Sequence, residues 1–149
     1  MAGQGSFSAA VDAWTRATRA RMDAVRKEAV QRTIEVMQTP VAKGGNLPVD
    51  TGYMRSSLLV SIGDALPPLT DKPEGGGSFT YNGGQAALTI ARSQIEDTIT
   101  AAYGAKYAPH QEYGSRGRPG RRFVALAAQQ WPRIVEETIR DAKAAVASR

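Results

Sequence analysis

The sequence predicts one α+β domain over residues 1–149, in which a small antiparallel β-sheet of about four strands packs against helices. Three observations lead to this fold class. Apolar residues recur every three or four positions near both ends of the chain, as they do on one face of a helix. The middle of the chain alternates apolar and polar residues, as strands do. The length of 149 residues is that of one domain with a buried core.

The first predicted element is a long helix over residues 7–37. Ser6 or Ser8 can accept a hydrogen bond from a free N–H group at its start, and Pro40 marks its end. The apolar stripe of this helix is thin. We expect it to pack on its own domain, with packing of one part on another subunit as the alternative. The stripe consists of Phe7, Val11, Trp14, Thr18, Met22, Val25 and Ala29.

A loop over residues 41–50 is predicted to lead into a short helical turn over residues 51–56. The loop is rich in Gly, Asn and Pro, which favour irregular structure. Asp50 is predicted to cap the turn, because a carboxylate at that position can accept hydrogen bonds from the first free backbone N–H groups.

Strands are predicted over residues 58–63 and 97–103, and as a hairpin over residues 79–91. The hairpin prediction depends on the Asn-Gly-Gly sequence at residues 82–84, since these residue types tolerate the positive φ angles of tight turns. Residues 64–78 contain three prolines and three consecutive glycines, and they are predicted to form a long flexible loop.

The last predicted element is a helix over residues 123–147. Pro132 lacks a backbone N–H and clashes with a carbonyl of the preceding turn, so a kink or a break near Gln130 and Trp131 is expected. The apolar stripe of this helix consists of Phe123, Ala127, Trp131, Ile134, Thr138, Ala142 and Val146.

The composition excludes several classes of site. The chain has no cysteine, which excludes disulfides, thiol catalysis and cysteine-bound zinc. A single histidine, His110, excludes a histidine-rich metal site. No stretch approaches the roughly 18 apolar residues of a membrane span, and no apolar secretory segment is seen, so no membrane partner is expected.

The most concentrated charge in the chain is a cluster of arginines. The net charge is +5, and four arginines lie within seven residues that contain no acidic side chain. Such a cluster fits nucleic-acid phosphates, an acidic partner surface or a solvated loop, and the pattern alone favours the solvated loop. The four are Arg116, Arg118, Arg121 and Arg122.

The tripeptide Asp-Thr-Gly at residues 50–52 is the one that carries the catalytic carboxylate of aspartic proteases. Such an enzyme needs two carboxylates that share a proton, and this chain contains one copy of the tripeptide, so a homodimer would have to supply the second. The bulky residues Tyr53, Met54 and Arg55 follow it, which favours the start of a helix over a protease loop.

His110 and Glu112 form a second candidate pair for acid–base chemistry. No nucleophile stands near them in the sequence, so a surface or interface histidine is the preferred interpretation. Neither the tripeptide nor this pair identifies a catalytic site in the sequence.

Two longer segments carry motifs. LPVDTGYMRSSL is similar to a P-V-D-T-G-x-L-R-x-S motif, and YGAKYAPHQEYGSRGRPGRRFVALAA is similar to Y-A-x-Y-V-E-x-G-T followed by PFLRPA. In this order and at this separation, they resemble the tail-completion family of head–tail joining (neck) proteins in long-tailed bacteriophages, prophages and gene transfer agents. The resemblance extends over residues 6–146. The matching positions are Val49, Asp50, Thr51, Gly52, Arg55 and Ser57 in the first motif and Tyr107, Ala108, Glu112, Gly114 and Phe123 in the second.

Some positions depart from the family pattern. Met54 stands where the family has Leu, Ser115 where it has Thr, and His110 at an aromatic position. Arg122 replaces the first proline of PFLRPA, which puts the predicted start of the C-terminal helix in doubt.

This resemblance implies a structural role in the virion rather than catalysis, so we expect a protein that is not an enzyme and that uses no cofactor. Proteins of this family form a ring, for which six subunits are expected, around the channel through which DNA leaves the head. A head-closure (stopper) protein lies above the ring, and the tail tube or the tail terminator protein lies below it. Assembly would take place in the cytoplasm of the host bacterium. A tail terminator at the same junction is one alternative, and a DNA-binding module that uses the arginine cluster is another.

The two motifs are the expected interface with other subunits and partners. Arg55 can pair with Glu112 and so link the motifs. The arginine cluster is expected to grip an acidic adjoining ring in preference to channel DNA, because a conduit for moving DNA should not hold phosphates tightly. The interface residues are Asp50, Thr51, Gly52, Tyr53, Arg55, Tyr107, Glu112, Tyr113 and Gly114.

Overall fold

The computed structural model describes the backbone of residues 2–149 and the side chains of residues 7–149. Mixed helices and strands confirm the predicted α+β fold class. The helices are α1 (Ala2–Gln38), α2 (Tyr53–Ser56), α3 (Gly83–Arg92), α4 (Ala108–Tyr113), α5 (Phe123–Gln129) and α6 (Trp131–Ala147). The strands are β1 (Leu58–Ile62), β2 (Ile99–Tyr103), β3 (Gly114–Ser115) and β4 (Arg118–Pro119).

Helix α1 is even longer than the predicted residues 7–37. Its 37 residues span about 55 Å at 1.5 Å per residue. The second half packs on the domain, where Ala29, Ile34 and Met37 are buried, whereas every residue from 7 to 17 is exposed. The helix therefore extends well beyond the body of its own chain.

The predicted strands at 58–63 and 97–103 are confirmed as β1 and β2. They form a two-stranded antiparallel sheet whose register runs from Leu58 opposite Tyr103 to Ile62 opposite Ile99. Leu58 and Val60 point into the core, which agrees with the period of two expected for a sheet with one buried face. Strands β3 and β4 form a separate two-residue ladder.

The predicted hairpin over residues 79–91 is wrong, because most of this segment is helix α3. Asn82 does not make a turn; its Oδ1 accepts a hydrogen bond from Gly84 N at 3.0 Å and so caps the helix. Ala86 and Ile90, one helical turn apart, are both buried. Asn and Gly are favoured in tight turns and also at helix starts, and here burial of the helical face decides between the two.

Helix α3 occupies the place that a third strand would take beside β1. The side chain of Gln85 bonds the backbone of Val60 twice: Oε1 accepts from Val60 N at 3.3 Å, and Nε2 donates to Val60 O at 2.8 Å. Val60 is 1% exposed, so water does not reach these groups. The glutamine amide replaces the hydrogen bonds of a neighbouring strand at the open edge of the sheet.

The C-terminal helix is broken where proline was expected to disturb it. Helix α5 ends at Gln129 and α6 begins at Trp131, with Pro132 in the first turn of α6, where a missing N–H is tolerated. Helix α6 lies against the second half of α1, and Arg32 Nη1 is 2.8 Å from Asp141 Oδ2.

The core lies between the second half of α1, the β1–β2 sheet, α3 and α5. Its buried residues are Ile34, Met37, Leu47, Met54, Leu58, Val60, Ala86, Ile90, Ala105, Ala108, Phe123 and Ala127. Among the described helices, none combines the length and the apolar character needed to cross a membrane.

Candidate functional site

The two segments that carry the motifs lie side by side, and we call their contact the motif junction (residues 48–57 and 104–114). Ser57 bonds the second segment twice: its carbonyl accepts from Gly104 N at 3.0 Å, and its Oγ accepts from Ala105 N at 3.1 Å. Met54 N donates to the hydroxyl of Tyr107 at 3.1 Å. Segments about 50 residues apart in the sequence therefore form one unit.

Asp50 does not cap helix α2, so that prediction is wrong. Its side chain is 97% exposed, and its nearest charged partner is Lys72, whose Nζ is 3.9 Å from Oδ2. Gly52 is the residue before the helix, in the left-handed conformation with φ of +85°, and Thr51 Oγ1 accepts from Tyr53 N at 3.3 Å. The helix begins two residues later than the aspartate cap requires, which leaves the carboxylate of Asp50 in solvent.

Gly52 lets another backbone approach the turn closely. Phe79 N donates to Thr51 O at 2.9 Å. A Cβ atom added to Gly52 would lie 2.4 Å from Phe79 O, closer than real Cβ contacts. The positive φ and the close approach both require glycine here.

The segment over residues 64–82 crosses the motif junction and is fixed to it at two points. Thr70 N donates to Gly104 O at 2.8 Å, and the hydroxyls of Thr70 and Tyr53 are hydrogen-bonded. Further along, the rings of Tyr53 and Phe79 meet edge to face, with 5.1 Å between their centroids. The proline- and glycine-rich loop thus contributes side chains to the junction.

The expected pair between Arg55 and Glu112 does not form. Arg55 Nε donates to Gln38 O at 2.9 Å, and its guanidinium carbon lies 5.3 Å from the centroid of the Tyr81 ring. The guanidinium stacks on an aromatic face and bonds the end of α1, so it joins the first motif to the N-terminal helix and not to the second motif.

Gln38 is a buried polar residue at the centre of this arrangement. Its Nε2 donates to Arg55 O at 2.9 Å, and its Oε1 accepts from the Tyr103 hydroxyl at 2.6 Å. Burial raises the pKa of Tyr103 above its ordinary value of 10, so the hydroxyl remains a donor at neutral pH. No motif or charge pattern in the sequence points to Gln38 as a functional residue. Its position one helical turn after Ile34 predicts burial, but the sequence does not predict that Arg55 and Tyr103 are its hydrogen-bond partners.

Glu112 joins helix α4 to the start of α5. Its Oε2 accepts from Val124 N and its Oε1 from Ala125 N, both at 2.9 Å. Glu112 is 7% exposed, and its negative charge meets the positive end of the α5 dipole. With both oxygens bonded to backbone, Glu112 acts as a remote helix cap and is not free to serve as a partner of His110.

The four clustered arginines lie on a short projection that we call the arginine ribbon (residues 114–122). It is built from β3, a turn and β4, and all four arginine side chains are exposed. Arg121 N donates to Gln111 O at 2.7 Å, and Arg122 N donates to Glu112 O at 3.1 Å. The base of the ribbon is therefore fixed to α4 through its backbone.

A depression of about 160 Å³ opens on the surface of the motif junction. Ordinary small-molecule sites have about 300–1,000 Å³, so this volume suits a single side chain of a partner better than a substrate or a cofactor. The lining residues are Pro48, Val49, Asp50, Gly52, Met54, Arg55, Tyr107 and Gln111. In the described part of the chain, no three acidic or histidine side chains come close enough to hold a metal ion.

The expected interface residues differ in how they are placed within one subunit. Asp50 and Tyr113 are exposed, and a Cβ atom added to Gly114 would meet the ribbon backbone. Gly52 and Glu112 are buried within the subunit. Half-buried positions make up the rest, namely Thr51, Tyr53, Arg55 and Tyr107.

The chain was compared with protein-family models, with curated proteins and with solved structures, and none of these comparisons found a match.

Proposed function

We propose that this protein is a non-enzymatic structural subunit of the neck of a long-tailed bacteriophage or gene transfer agent. In this proposal, copies of the chain form a ring, six being the expected number, between the head-closure protein and the tail tube or tail terminator. The observation that carries the proposal is the motif junction, in which the two segments that resemble the tail-completion family pack directly on each other.

The contacts of the junction support a role in building a scaffold. Ser57, Met54 and Tyr107 hold the two segments together through backbone and hydroxyl groups. The carboxylate of Asp50, which an aspartic protease would keep in a shared, enclosed position, is 97% exposed. The hydroxyl groups of Ser57 and Tyr107 accept hydrogen bonds from backbone N–H groups of the opposite segment, which is a structural use of these side chains.

The exposed first half of α1 supports self-association. At 3.6 residues per turn, Phe7, Val11 and Trp14 fall on the same side of the helix as Arg32, which pairs with Asp141 of α6. The side of α1 that α6 covers in the domain thus continues outward as an apolar stripe. We call residues 7–22 the α1 arm.

The stripe exposes two large aromatic side chains. Phe7 is 73% and Trp14 69% exposed. Because an aromatic side chain presents about 150–250 Å², the two together expose roughly 300 Å² of apolar surface. An arm that leaves its own domain suits head-to-tail contacts between subunits, which form a ring when the rotation between neighbouring subunits closes.

The proposal is tested by deleting the gene from the phage or particle that encodes it. The expected result is filled heads and finished tails that remain unjoined in electron micrographs, with joining restored by the parent gene in trans. Normal joined particles in the deletion strain would contradict the proposal. Tails without a defined end would instead assign the protein to the tail terminator, which occupies the same junction.

A matched pair of complementing variants connects the result to the structure. Phe7→Ser with Trp14→Ser removes both aromatic side chains of the stripe on the α1 arm and should fail to restore joining. Leu88→Ser removes another exposed apolar side chain, 51% exposed, from α3 and should restore joining.

A further inference from the structure

We infer that the arginine ribbon is a binding site for the phosphodiester backbone of nucleic acid. This inference goes beyond the neck assignment and does not depend on it. It rests on the charge of the ribbon, on the backbone conformation of two of its arginines and on the way its base is fixed.

The charge of the ribbon is unopposed within the described chain. Each of the eight ion pairs found among the described residues lies elsewhere, and none involves a ribbon arginine. All four side chains are exposed. Guanidinium groups bind phosphate oxygens with two parallel hydrogen bonds, so four free ones on a narrow projection suit a chain of phosphates.

Two of the arginines have a left-handed backbone conformation, which is unfavourable for residues other than glycine. Arg116 has φ of 49° and Arg122 has φ of 52°, and they are the two residues other than glycine with positive φ in the described chain. Gly and Asn adopt this conformation with less strain than arginine does. An arginine at both positions works against local folding preference, which points to a use for the side chains themselves.

Backbone hydrogen bonds fix the ribbon to α4, and the guanidinium groups of its arginines take no part in them. Arg121 and Arg122 use their backbone N–H groups, and not their guanidinium groups, to bond α4. A Cβ atom added to Gly120 would lie 2.1 Å from Glu112 O, so the chain is tightly packed where the ribbon joins the domain. Tyr113, 79% exposed beside the ribbon, adds an aromatic face on which an unpaired base can stack.

The expected affinity of this site for DNA is weak enough for a channel through which DNA must move. Four phosphate contacts per ribbon give non-specific binding, with a Kd on the order of 10⁻⁴ to 10⁻⁶ M at physiological salt. Binding of that strength is reversible and readily released. Nucleic acid is therefore favoured here over an acidic protein surface, which offers carboxylates at fewer and less regular positions.

The test is fluorescence anisotropy of the full-length protein with a short DNA duplex and, separately, a single strand of arbitrary sequence. The logarithm of the binding constant should fall with the logarithm of salt concentration with a slope of about −3 to −4, which is roughly a 100-fold loss between 50 and 200 mM salt. Changing Arg116, Arg118, Arg121 and Arg122 to Ala should abolish the binding.

Two further variants separate the ribbon from net charge and from folding. The control changes Arg21, Arg92, Arg140 and Lys143 to Ala, which removes the same charge from exposed positions elsewhere and should leave most of the affinity. Arg116→Asn with Arg122→Asn suits the left-handed backbone, so its melting temperature should equal or exceed that of the parent. Its DNA affinity should nevertheless fall at least tenfold.

Binding that survives the four ribbon substitutions, or that falls equally in the control, overturns the inference. Binding of polyglutamate by the parent without binding of either form of DNA also overturns it, and would assign the ribbon to an acidic protein partner.

Discussion

At the scale of single residues, two buried polar side chains connect the motif junction to the rest of the domain. Gln38 and Glu112 each bond two groups that lie far away in the sequence, and both are less than 10% exposed. A buried group that loses its partner is penalised by its full desolvation, so these residues are sensitive to change.

Replacing Glu112 with Gln should destabilise the protein by about 1–3 kcal/mol, because one acceptor of the α5 cap becomes an NH₂ donor that faces a backbone N–H. Urea denaturation, monitored by circular dichroism, measures this change in the free energy of unfolding. Glu137→Gln is the control: Glu137 pairs with Arg133 on the surface of α6, so its loss should change the free energy of unfolding by less than about 1 kcal/mol. Equal effects for both variants would contradict the capping role.

Tyr103 should make stability depend on alkaline pH. Its pKa in the folded state is raised by burial, while in the unfolded chain it ionises near 10. The stabilising contribution is complete below pH 10 and decreases as the pH rises above 10, because the unfolded state then loses the proton that the folded state keeps.

Tyr103→Phe should flatten the loss of stability between about pH 9 and pH 11, measured as the urea midpoint at each pH. At neutral pH it should be less stable than the parent, since the hydrogen bond to Gln38 is lost. A profile of Tyr103→Phe that matches the parent would refute this origin of the pH dependence.

At the scale of elements, the contact between α3 and β1 explains how a two-stranded sheet is completed. The open edge of β1 meets a helix and not a third strand, and the Gln85 amide supplies both a donor and an acceptor to Val60. Helix α3 also buries Ala86 and Ile90 against the core.

Gln85→Ala should lower the free energy of unfolding by about 1–3 kcal/mol, because it leaves the N–H and C=O of Val60 buried without partners. Thermal and urea unfolding measure the change. Gln129→Ala, which removes an exposed glutamine from the end of α5, should change stability by less than about 0.5 kcal/mol. A Gln85 variant as stable as the parent would mean that water or a local shift satisfies Val60.

At the scale of the whole molecule, the protein has a packed body and a projecting arm. The arm carries Phe7, Val11 and Trp14 in solvent, and it gains little packing from its own chain. A helix with an exposed apolar stripe is stabilised mainly by what covers it.

Changing Phe7 and Trp14 together to Ser should lower the molar mass measured by light scattering towards that of one chain. The melting temperature extrapolated to low protein concentration should stay close to that of the parent, because neither residue packs in the core. Leu88→Ser should leave the mass unchanged. A parent protein that is monomeric at all concentrations, with and without its partner proteins, would contradict self-association through the arm.

Helices and strands whose sequence pattern lies within a short stretch of the chain could be predicted from the sequence. The 3–4 spacing predicts α1 and the C-terminal helix, alternation predicts β1 and β2, and the proline at 132 predicts the break between α5 and α6. The hairpin at 79–91 could not be decided in this way, because Asn-Gly-Gly followed by small apolar residues is compatible with a turn or with a capped helix.

Contacts between distant segments were decided only by the tertiary structure. Arg55 and Glu112 are of opposite charge and belong to neighbouring motifs, yet each has another partner: Gln38 O and the start of α5. A hydrogen bond is set by position to within a few tenths of an ångström, and the sequence specifies such positions only through the packing of the whole core. The sequence by itself therefore determined the helices near the two ends of the chain, the strands β1 and β2, and the arginine cluster. Folding decided which polar groups meet and left the α1 arm and the arginine ribbon on the outside.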